Sequence, residues 1–153
     1  MTAWSDADIG FMREALGEAR VAAEANEVPV GAVVVYGGEI IARGMNRSVS
    51  DCDPTAHAEA VALRAAAQAV GNHRLQGATL FVTLEPCPMC VGAMTQARID
   101  RLVFGAYDDK AGGLGGAVDL TESPALNHRF EINGGVLRAD SEQLLKQFFE
   151  ARR

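Results

Sequence analysis

Two short motifs contain the residues of this chain that are best suited to chemistry, His57-x-Glu59 and Cys87-x-x-Cys90. One histidine and two cysteines are ligands that suit Zn²⁺, and their number is informative. Structural zinc sites are closed by four protein ligands, whereas catalytic sites keep a position open for water. The carboxylate of Glu59 would lie beside that water and could move its protons. The pattern therefore predicts a hydrolytic zinc centre with His57, Cys87 and Cys90 as ligands.

The residues alone leave two other uses of the cysteines open. Cys52 is close enough in sequence to His57 to complete a closed structural site, although it could equally be a small buried side chain or a loop residue. The Cys-x-x-Cys pair could also act as a redox pair, but a redox pair needs no His-x-Glu partner. His73 and His128 lack the spacing of metal ligands and are interpreted as hydrogen-bonded or surface histidines. An open zinc site is the favoured interpretation.

Both motifs are predicted at places where the chain enters a helix. An alanine-rich segment over 58–70 predicts one helix, and a buried strand over 78–84 leads through the cysteine motif into a second helix over 89–97. Helix N-termini carry partial positive charge and unpaired N–H groups, which favour thiolates. Residues two apart on a helix point in nearly opposite directions, so His57 and Glu59 converge only off the open end of the first turn. We therefore expect Glu59 to face water on the metal without binding the metal itself.

The remaining segments predict strands that alternate with helices. Apolar spacing and glycines predict a helix over 6–26, a hairpin over 28–44 turning at Gly37-Gly38, a strand over 101–105, a glycine-rich loop over 109–120 and a closing helix. Asp6 is the expected N-cap of the first helix and Ser141 that of the last. This alternation is typical of an α/β fold, a three-layer α/β/α sandwich whose helices cover both faces of a mixed sheet.

Composition places the chain among ordinary globular proteins. Its 153 residues, 48% hydrophobic and 22% charged, predict a single domain over 1–153. The apolar runs are too short to cross a membrane, and the first residues contain no secretory signal. Three cysteines with a Cys-x-x-Cys pair fit a reducing compartment. We therefore expect a cytoplasmic protein with no membrane partner.

The net charge of −6 argues mildly against a nucleic-acid partner, because phosphate contacts usually come from a basic surface. That argument concerns the average surface only. A local basic patch could still hold a short RNA segment, and its candidates are Lys110, Arg129, Arg152 and Arg153.

Taken together, His57-x-Glu59 and Pro86-Cys87-x-x-Cys90 resemble the signature of the zinc-dependent cytidine and deoxycytidylate deaminase superfamily. The flanking sequence narrows the likeness, which extends over nearly the whole chain. It is similar to bacterial tRNA-specific adenosine deaminases at Asn46, over 28–32, 53–59, 83–87, 104–106 and 127–129, at Asp108 and Lys110, and at Phe148-Phe149. The resemblance implies a cytidine deaminase-like fold with a five-stranded mixed sheet.

The same resemblance implies a reaction, hydrolytic deamination of the wobble adenosine in a tRNA anticodon loop to inosine. A zinc-activated water would attack the purine ring, and Glu59 would carry protons to a ring nitrogen and to the departing ammonia. One Zn²⁺ per subunit of a homodimer is implied. The implied partner is the anticodon stem-loop of an arginine tRNA.

Substrate contacts are also implied by the resemblance. The side-chain amide of Asn46 would bond the extruded adenine, and the backbone of Ala58 would contact the edge of the base. Asp108 would accept a hydrogen bond from a neighbouring ribose 2′-hydroxyl, by which a protein can tell RNA from DNA. The path of the anticodon loop would be lined by Lys110, Phe149 and Arg152.

Two rival functions remain open at this point. A guanine or other nucleobase deaminase acting on a small molecule would share the metal centre and would need no basic rim, which fits the acidic net charge. A non-catalytic, zinc-stabilised RNA-binding domain would need the metal but not Glu59. The chain also departs from the family's pattern in the glycines of 112–116, and at Cys52 and Tyr107.

Overall fold

The protein, seen here as a computed structural model that describes residues 4–152, contains four helices and five strands within that range. In chain order they are α1 Asp6–Glu24, β1 Gly31–Tyr36, β2 Glu39–Met45, α2 Ala58–Val70, β3 Thr79–Leu84, α3 Pro88–Ala97, β4 Arg101–Ala106, β5 Glu131–Gly134 and α4 Arg138–Glu150. Two sequence predictions involve residues outside this range. Residues 1–3 belong to the start of the chain, which is predicted to lack a secretory signal, and Arg153 belongs to the candidate basic patch. Between residues 4 and 152, no helix combines the length and apolar character needed to cross a bilayer.

The five strands form one mixed sheet in the order β2-β1-β3-β4-β5. Strand β1 pairs antiparallel with β2 and β3, whereas β3, β4 and β5 run parallel. Successive residues of the central strands point to opposite faces, so Leu80 and Val82 enter one apolar cluster and Phe81 enters another. Helices α2 and α3 cover the first face, and α1 and α4 cover the second. The predicted α/β sandwich with helices on both faces is confirmed.

Helix α2 packs unusually closely on β2, and a glycine permits it. A Cβ atom added at Gly44 would lie 2.5 Å from the carbonyl oxygen of Ala58 and 2.6 Å from the backbone nitrogen of Ala62. Both distances are far below van der Waals contact, so no larger residue fits while the helix keeps its place. The first turn of α2 is therefore seated directly against the sheet.

Three local predictions were wrong, two at the N-caps of helices and one at the end of a helix. Ser5, not Asp6, caps α1, because Ser5 and Asp8 form a reciprocal capping box. The last helix begins at Arg138, so Ser141 lies inside its first turn, where it is buried. The five-stranded sheet implied by the resemblance is confirmed, but the local pattern did not locate β5, because this short, polar edge strand has no apolar alternation of its own and forms by pairing with β4. Helix α1 also ends two residues earlier than predicted, and Asn26 beyond it has a positive φ of 63°.

Candidate metal centre and active site

The two sequence motifs meet because two helices begin at the same place. His57 is the N-cap of α2 and Cys87 the N-cap of α3, with Pro88 at the first helical position. Neither side chain makes the usual N-cap hydrogen bond, so both can face a ligand beyond the helix ends. Cys90 lies in the first turn of α3 and is fully buried. The structure therefore brings the three predicted ligands together at two converging N-termini.

The distances within this group suit a tetrahedral zinc ion. Nδ1 of His57 lies 3.5 Å from the Sγ atom of Cys87 and 3.5 Å from that of Cys90. Tetrahedral bonds of about 2.3 Å to sulfur and about 2.0 Å to nitrogen separate such ligand atoms by roughly 3.5 Å. Within the described part of the chain, this is the set of His, Cys, Asp or Glu residues that could hold a metal, and Cys52 is outside it. The exposed thiol of Cys52 instead contacts the carbonyl oxygen of Val49.

The pKa values of the two cysteine thiols are shifted in opposite directions. Hydrogen bonding from Cys90, and then from His57, lowers the pKa of Cys87 to about 4, although burial opposes this. Hydrogen bonding to Cys87, burial and the carboxylate of Glu59 raise the pKa of Cys90. Hydrogen bonding to Cys87 also raises the pKa of His57, against the effect of burial. Cys87 is thus already a thiolate at neutral pH, and a divalent metal would take the place of the proton on Cys90.

Glu59 lies beside the ligand group in the first turn of α2 and is not a member of it. Its side chain is almost completely buried, at 4% exposure. Burial raises the pKa of Glu59 to about 7, while its own backbone N–H and the charge of His57 act in the opposite direction. A carboxyl group with such a pKa can both accept and donate a proton at neutral pH, as a general acid and base must.

A pocket of about 210 Å³ opens above the ligand group at one edge of the sheet. It lies where β3 and β4 end and where β2 leads into Asn46, which is the usual position of ligand sites in open α/β sheets. Two of the predicted ligands, His57 and Cys87, line it together with Asn46, Ala58 and Asp108. Val28, Val30 and Leu84 make part of its wall apolar. This combination of an apolar wall and a few polar groups suits one flat heteroaromatic ring.

The loop on one side of the pocket is held by a buried carboxylate that the sequence did not reveal. Glu27, at 1% exposure, accepts hydrogen bonds from the backbone N–H groups of Val49 and Ser50 at 3.2 and 2.6 Å and from the Ser50 hydroxyl at 2.6 Å. Within the same loop, the Ser48 hydroxyl donates to Oδ1 of Asn46 at 2.9 Å. The NH₂ group of the Asn46 amide is therefore the part left to meet a ligand.

Asp108 has a local role besides facing the pocket. Its Oδ1 atom accepts hydrogen bonds from the backbone N–H groups of Lys110 and Ala111, each at 3.1 Å. The carboxylate therefore caps the turn that follows it. Its second oxygen is not used by this turn.

The other three predicted substrate contacts lie outside the residues that line the pocket. Lys110 is exposed beside Asp108, and Phe149 is 49% exposed on α4, with its ring edge-on to that of the buried Phe148. The Arg152 guanidinium lies 3.5 Å from the centroid of the Phe148 ring. It also donates to the Phe148 carbonyl oxygen at 3.0 Å and to Oδ1 of Asn26 at 2.9 Å. Arg152 thus fastens the end of α4 to the turn that follows α1.

Comparison with known proteins agrees with this geometry. Residues 6–153 match the family of MafB19-like deaminases. The chain belongs to this deaminase family. It is 46% identical to a tRNA-specific adenosine deaminase of Bacillus subtilis (strain 168) over 143 residues, which are 94% of this chain and 89% of the relative. The resemblance inferred from the motifs is confirmed.

Solved structures of other deaminases have the same fold. One with a TM-score of 0.87 and 46% identity comes from work on A-to-I editing by tRNA:A34 deaminases at the wobble position of transfer RNA. It covers 89% of this chain and 99% of its own. A guanine deaminase of Nitrosomonas europaea is more distant, with a TM-score of 0.78 and 26% identity over 97% of this chain and 86% of its own. Deaminases of this superfamily depend on zinc, and the His/Cys/Cys group could hold such a metal here.

Proposed function

We propose that this protein hydrolyses the wobble adenosine of a tRNA anticodon to inosine and ammonia. The observation that carries the proposal is the pocket itself, in which a three-ligand metal group, a buried Glu59 and the amide of Asn46 meet. A closed structural site would need a fourth protein ligand, and a binding domain would have no use for a buried carboxyl group beside the metal. The higher similarity to tRNA-specific than to guanine deaminases supports RNA as the substrate.

His57, Cys87 and Cys90 would hold zinc, which would supply the Lewis acid that activates water for hydrolysis. Glu59 would accept a proton from the attacking water and deliver it to a nitrogen of the purine ring as the C6–O bond forms. It would then carry the second proton of the water to the amino group, which would leave as ammonia when the C6–N bond breaks. A pKa of about 7 would let Glu59 act both as a proton acceptor and as a proton donor at neutral pH.

Recognition of the base falls to groups already placed in the pocket. The NH₂ group of Asn46 would donate to an acceptor on the purine, and the backbone of Ala58 would meet the edge of the ring. The oxygen of Asp108 that the turn does not use would accept a hydrogen bond from a ribose 2′-hydroxyl. These contacts select a purine nucleotide in RNA.

Residues outside the pocket would hold the neighbouring nucleotides. The exposed ring of Phe149 could stack on a base, which is worth about 1–3 kcal/mol and is comparable with the cost of extruding the adenosine. Lys110 would approach a phosphate, and Arg152 would hold α4 at the correct place along this path. We also infer a homodimer with one zinc ion per subunit, a cytoplasmic location and an arginine tRNA as the substrate.

The test is inosine formation in an arginine tRNA transcript that carries adenosine at the wobble position, with free guanine assayed in parallel. We expect inosine at that one site and no ammonia from guanine. Ammonia from guanine alone would assign the protein to the nucleobase deaminases, for which the Nitrosomonas europaea enzyme is the structural precedent. No product from either substrate with the zinc-loaded protein would favour a non-catalytic RNA-binding domain.

A further inference from the structure

Another buried carboxyl group, Glu85, also lines the pocket and has no part in the proposed chemistry. It follows β3 directly, is 2% exposed and is not part of the metal-ligand group. Its Oε1 atom accepts the backbone N–H of Asp108 at 3.0 Å. Its Oε2 atom accepts those of Leu114 and Gly116 at 3.0 and 2.9 Å. Both oxygens are thus occupied by the loop over 108–116.

The glycines of this loop allow it to close around the carboxyl group. A Cβ atom at Gly112 would lie 2.2 Å from Oε2 of Glu85, and one at Gly116 would lie 2.0 Å from the carbonyl oxygen of Asp108. The Gly113 N–H donates to the carbonyl oxygen of Pro86 at 2.8 Å. The loop is therefore bonded both to Glu85 and to the segment that leads into Cys87, and close packing requires glycine at 112 and 116.

This loop forms one wall of the pocket. Asp108 and Ala111 line the cavity, and the backbone of Asp108 is bonded to Glu85. We propose that Glu85 is a positioning residue, which fixes the loop over 108–116 against the metal-ligand segment so that Asp108 is aimed at the substrate. The part concerning substrate rests on the proposed function, whereas the part concerning the loop does not.

The position of Glu85 predicts a specific pattern of effects. A group that orients the pocket wall governs how well the substrate is held, and it leaves the metal and the proton carrier in place. Its loss should therefore raise KM much more than it lowers kcat. A general scaffold residue would instead lower the amount of folded, metal-loaded protein and leave the kinetic constants of the remaining protein unchanged.

The experiment compares Glu85→Gln with Gly112→Ala, which disturbs the same contact from the loop side. In Glu85→Gln the side-chain NH₂ would face backbone N–H groups, and in Gly112→Ala the new methyl group would meet Oε2. Both should raise KM for the tRNA by about tenfold and change kcat by less than about threefold. Gly17→Ala is the matched control, because a Cβ atom there meets nothing within 4 Å. Zinc content should remain equal in all four proteins.

A second readout is independent of activity. Hydrogen exchange at the amides of Asp108, Leu114 and Gly116 should become about tenfold faster in both variants. The amides of Val49 and Ser50, which are bonded to Glu27, should keep their rates and serve as the internal reference.

The outcomes separate the two proposals. Unchanged exchange at the three loop amides, or loss of zinc in parallel with activity, would overturn the role of Glu85. A wild-type protein that forms no inosine would refute the proposed function, and the exchange rates would still decide whether Glu85 holds the loop. If Glu85→Gln fails to fold, Gly112→Ala alone gives the answer.

Discussion

Glu59 owes its proposed role to the place where α2 begins. Because His57 is the N-cap, Glu59 is the second residue of the helix and shares its buried end with the metal group. Replacing it with alanine removes the proton carrier but none of the three ligands. We expect Glu59→Ala to keep its zinc and to lose about 10²- to 10⁴-fold in kcat, measured by metal analysis and by inosine formation in single-turnover assays.

The matched variant is Glu59→Gln, which has nearly the same volume but cannot carry a proton. It should be as inactive as the alanine variant while unfolding at the same temperature as the wild type. A glutamine variant that loses zinc together with activity would show that Glu59 supports the metal instead of the reaction.

Asp108 has two functions at the residue scale, and one substitution separates them. Asp108→Asn keeps an Oδ1 atom for the turn of Lys110 and Ala111 but replaces the second oxygen with an NH₂ donor. An NH₂ group cannot accept from a 2′-hydroxyl, so the preference for RNA over DNA should fall by about tenfold or more. The ratio of kcat/KM on an RNA hairpin to kcat/KM on a DNA hairpin of equal sequence measures this preference. Asp119→Asn is the control, since Asp119 caps a similar turn at Thr121 and does not line the pocket.

At the scale of elements, the metal site depends on how closely α2 packs on the sheet. Gly44→Ala would place a methyl group 2.5 Å from the carbonyl oxygen of Ala58, next to His57 and Glu59. The helix must then move away, so we expect a loss of about 2–3 kcal/mol in the free energy of unfolding and weaker zinc binding. Gly10→Ala in α1 meets nothing within 4 Å and should be neutral or slightly stabilising. Urea unfolding measures the stability of each variant, and titration with a zinc chelator measures its zinc binding. Equal behaviour of the two variants would contradict the packing argument.

Periodicity in the sequence predicted most elements, because their apolar residues repeat as a helix or strand requires. It located α2 to the residue, and it placed the three metal-group residues at helix starts. Strand β5 was not predictable in this way, since its pairing with β4 and the bonds from Arg101 to Glu131 and Asn133 join residues far apart in sequence.

The same limit applies to the groups that shape the pocket. Glu27 and Glu85 bond backbone N–H groups 22 to 31 residues away, and no local pattern marks a carboxyl group for that purpose. The donor for Asn46, Ser48, is only two residues from it, yet their contact depends on a loop whose shape Glu27 sets. The types and spacing of the ligands identify the reacting groups in the sequence, whereas the groups that position the substrate can be identified only in the folded loops.

At the scale of the whole molecule, one ion pair joins the first turn of α1 to the sheet. Asp8 receives two hydrogen bonds from the Arg101 guanidinium, each 2.9 Å long, and so connects α1 to β4. Arg101 also bonds Glu131 and Asn133 of β5. Hydrogen bonding to Arg101 lowers the pKa of Asp8 against the effect of burial, and the N–H of Ser5 adds to the lowering. The negative charge of Asp8 therefore helps to hold α1, β4 and β5 together.

The sign of the resulting pH dependence follows from that lowered pKa. A carboxylate with a lower pKa in the folded than in the unfolded chain stabilises the fold above its unfolded value, and this stabilisation is lost as the pH falls through the folded value. Asp8→Asn should therefore cost about 1.5–3 kcal/mol in the free energy of unfolding near pH 7, and progressively less from about pH 4 downward. Urea unfolding at several pH values measures the difference, with Asp6→Asn, an exposed carboxylate in the same turn, as the control. A deficit of Asp8→Asn that stayed constant down to about pH 2 would show that the side chain contributes through its shape and neutral hydrogen bonds and not through its charge.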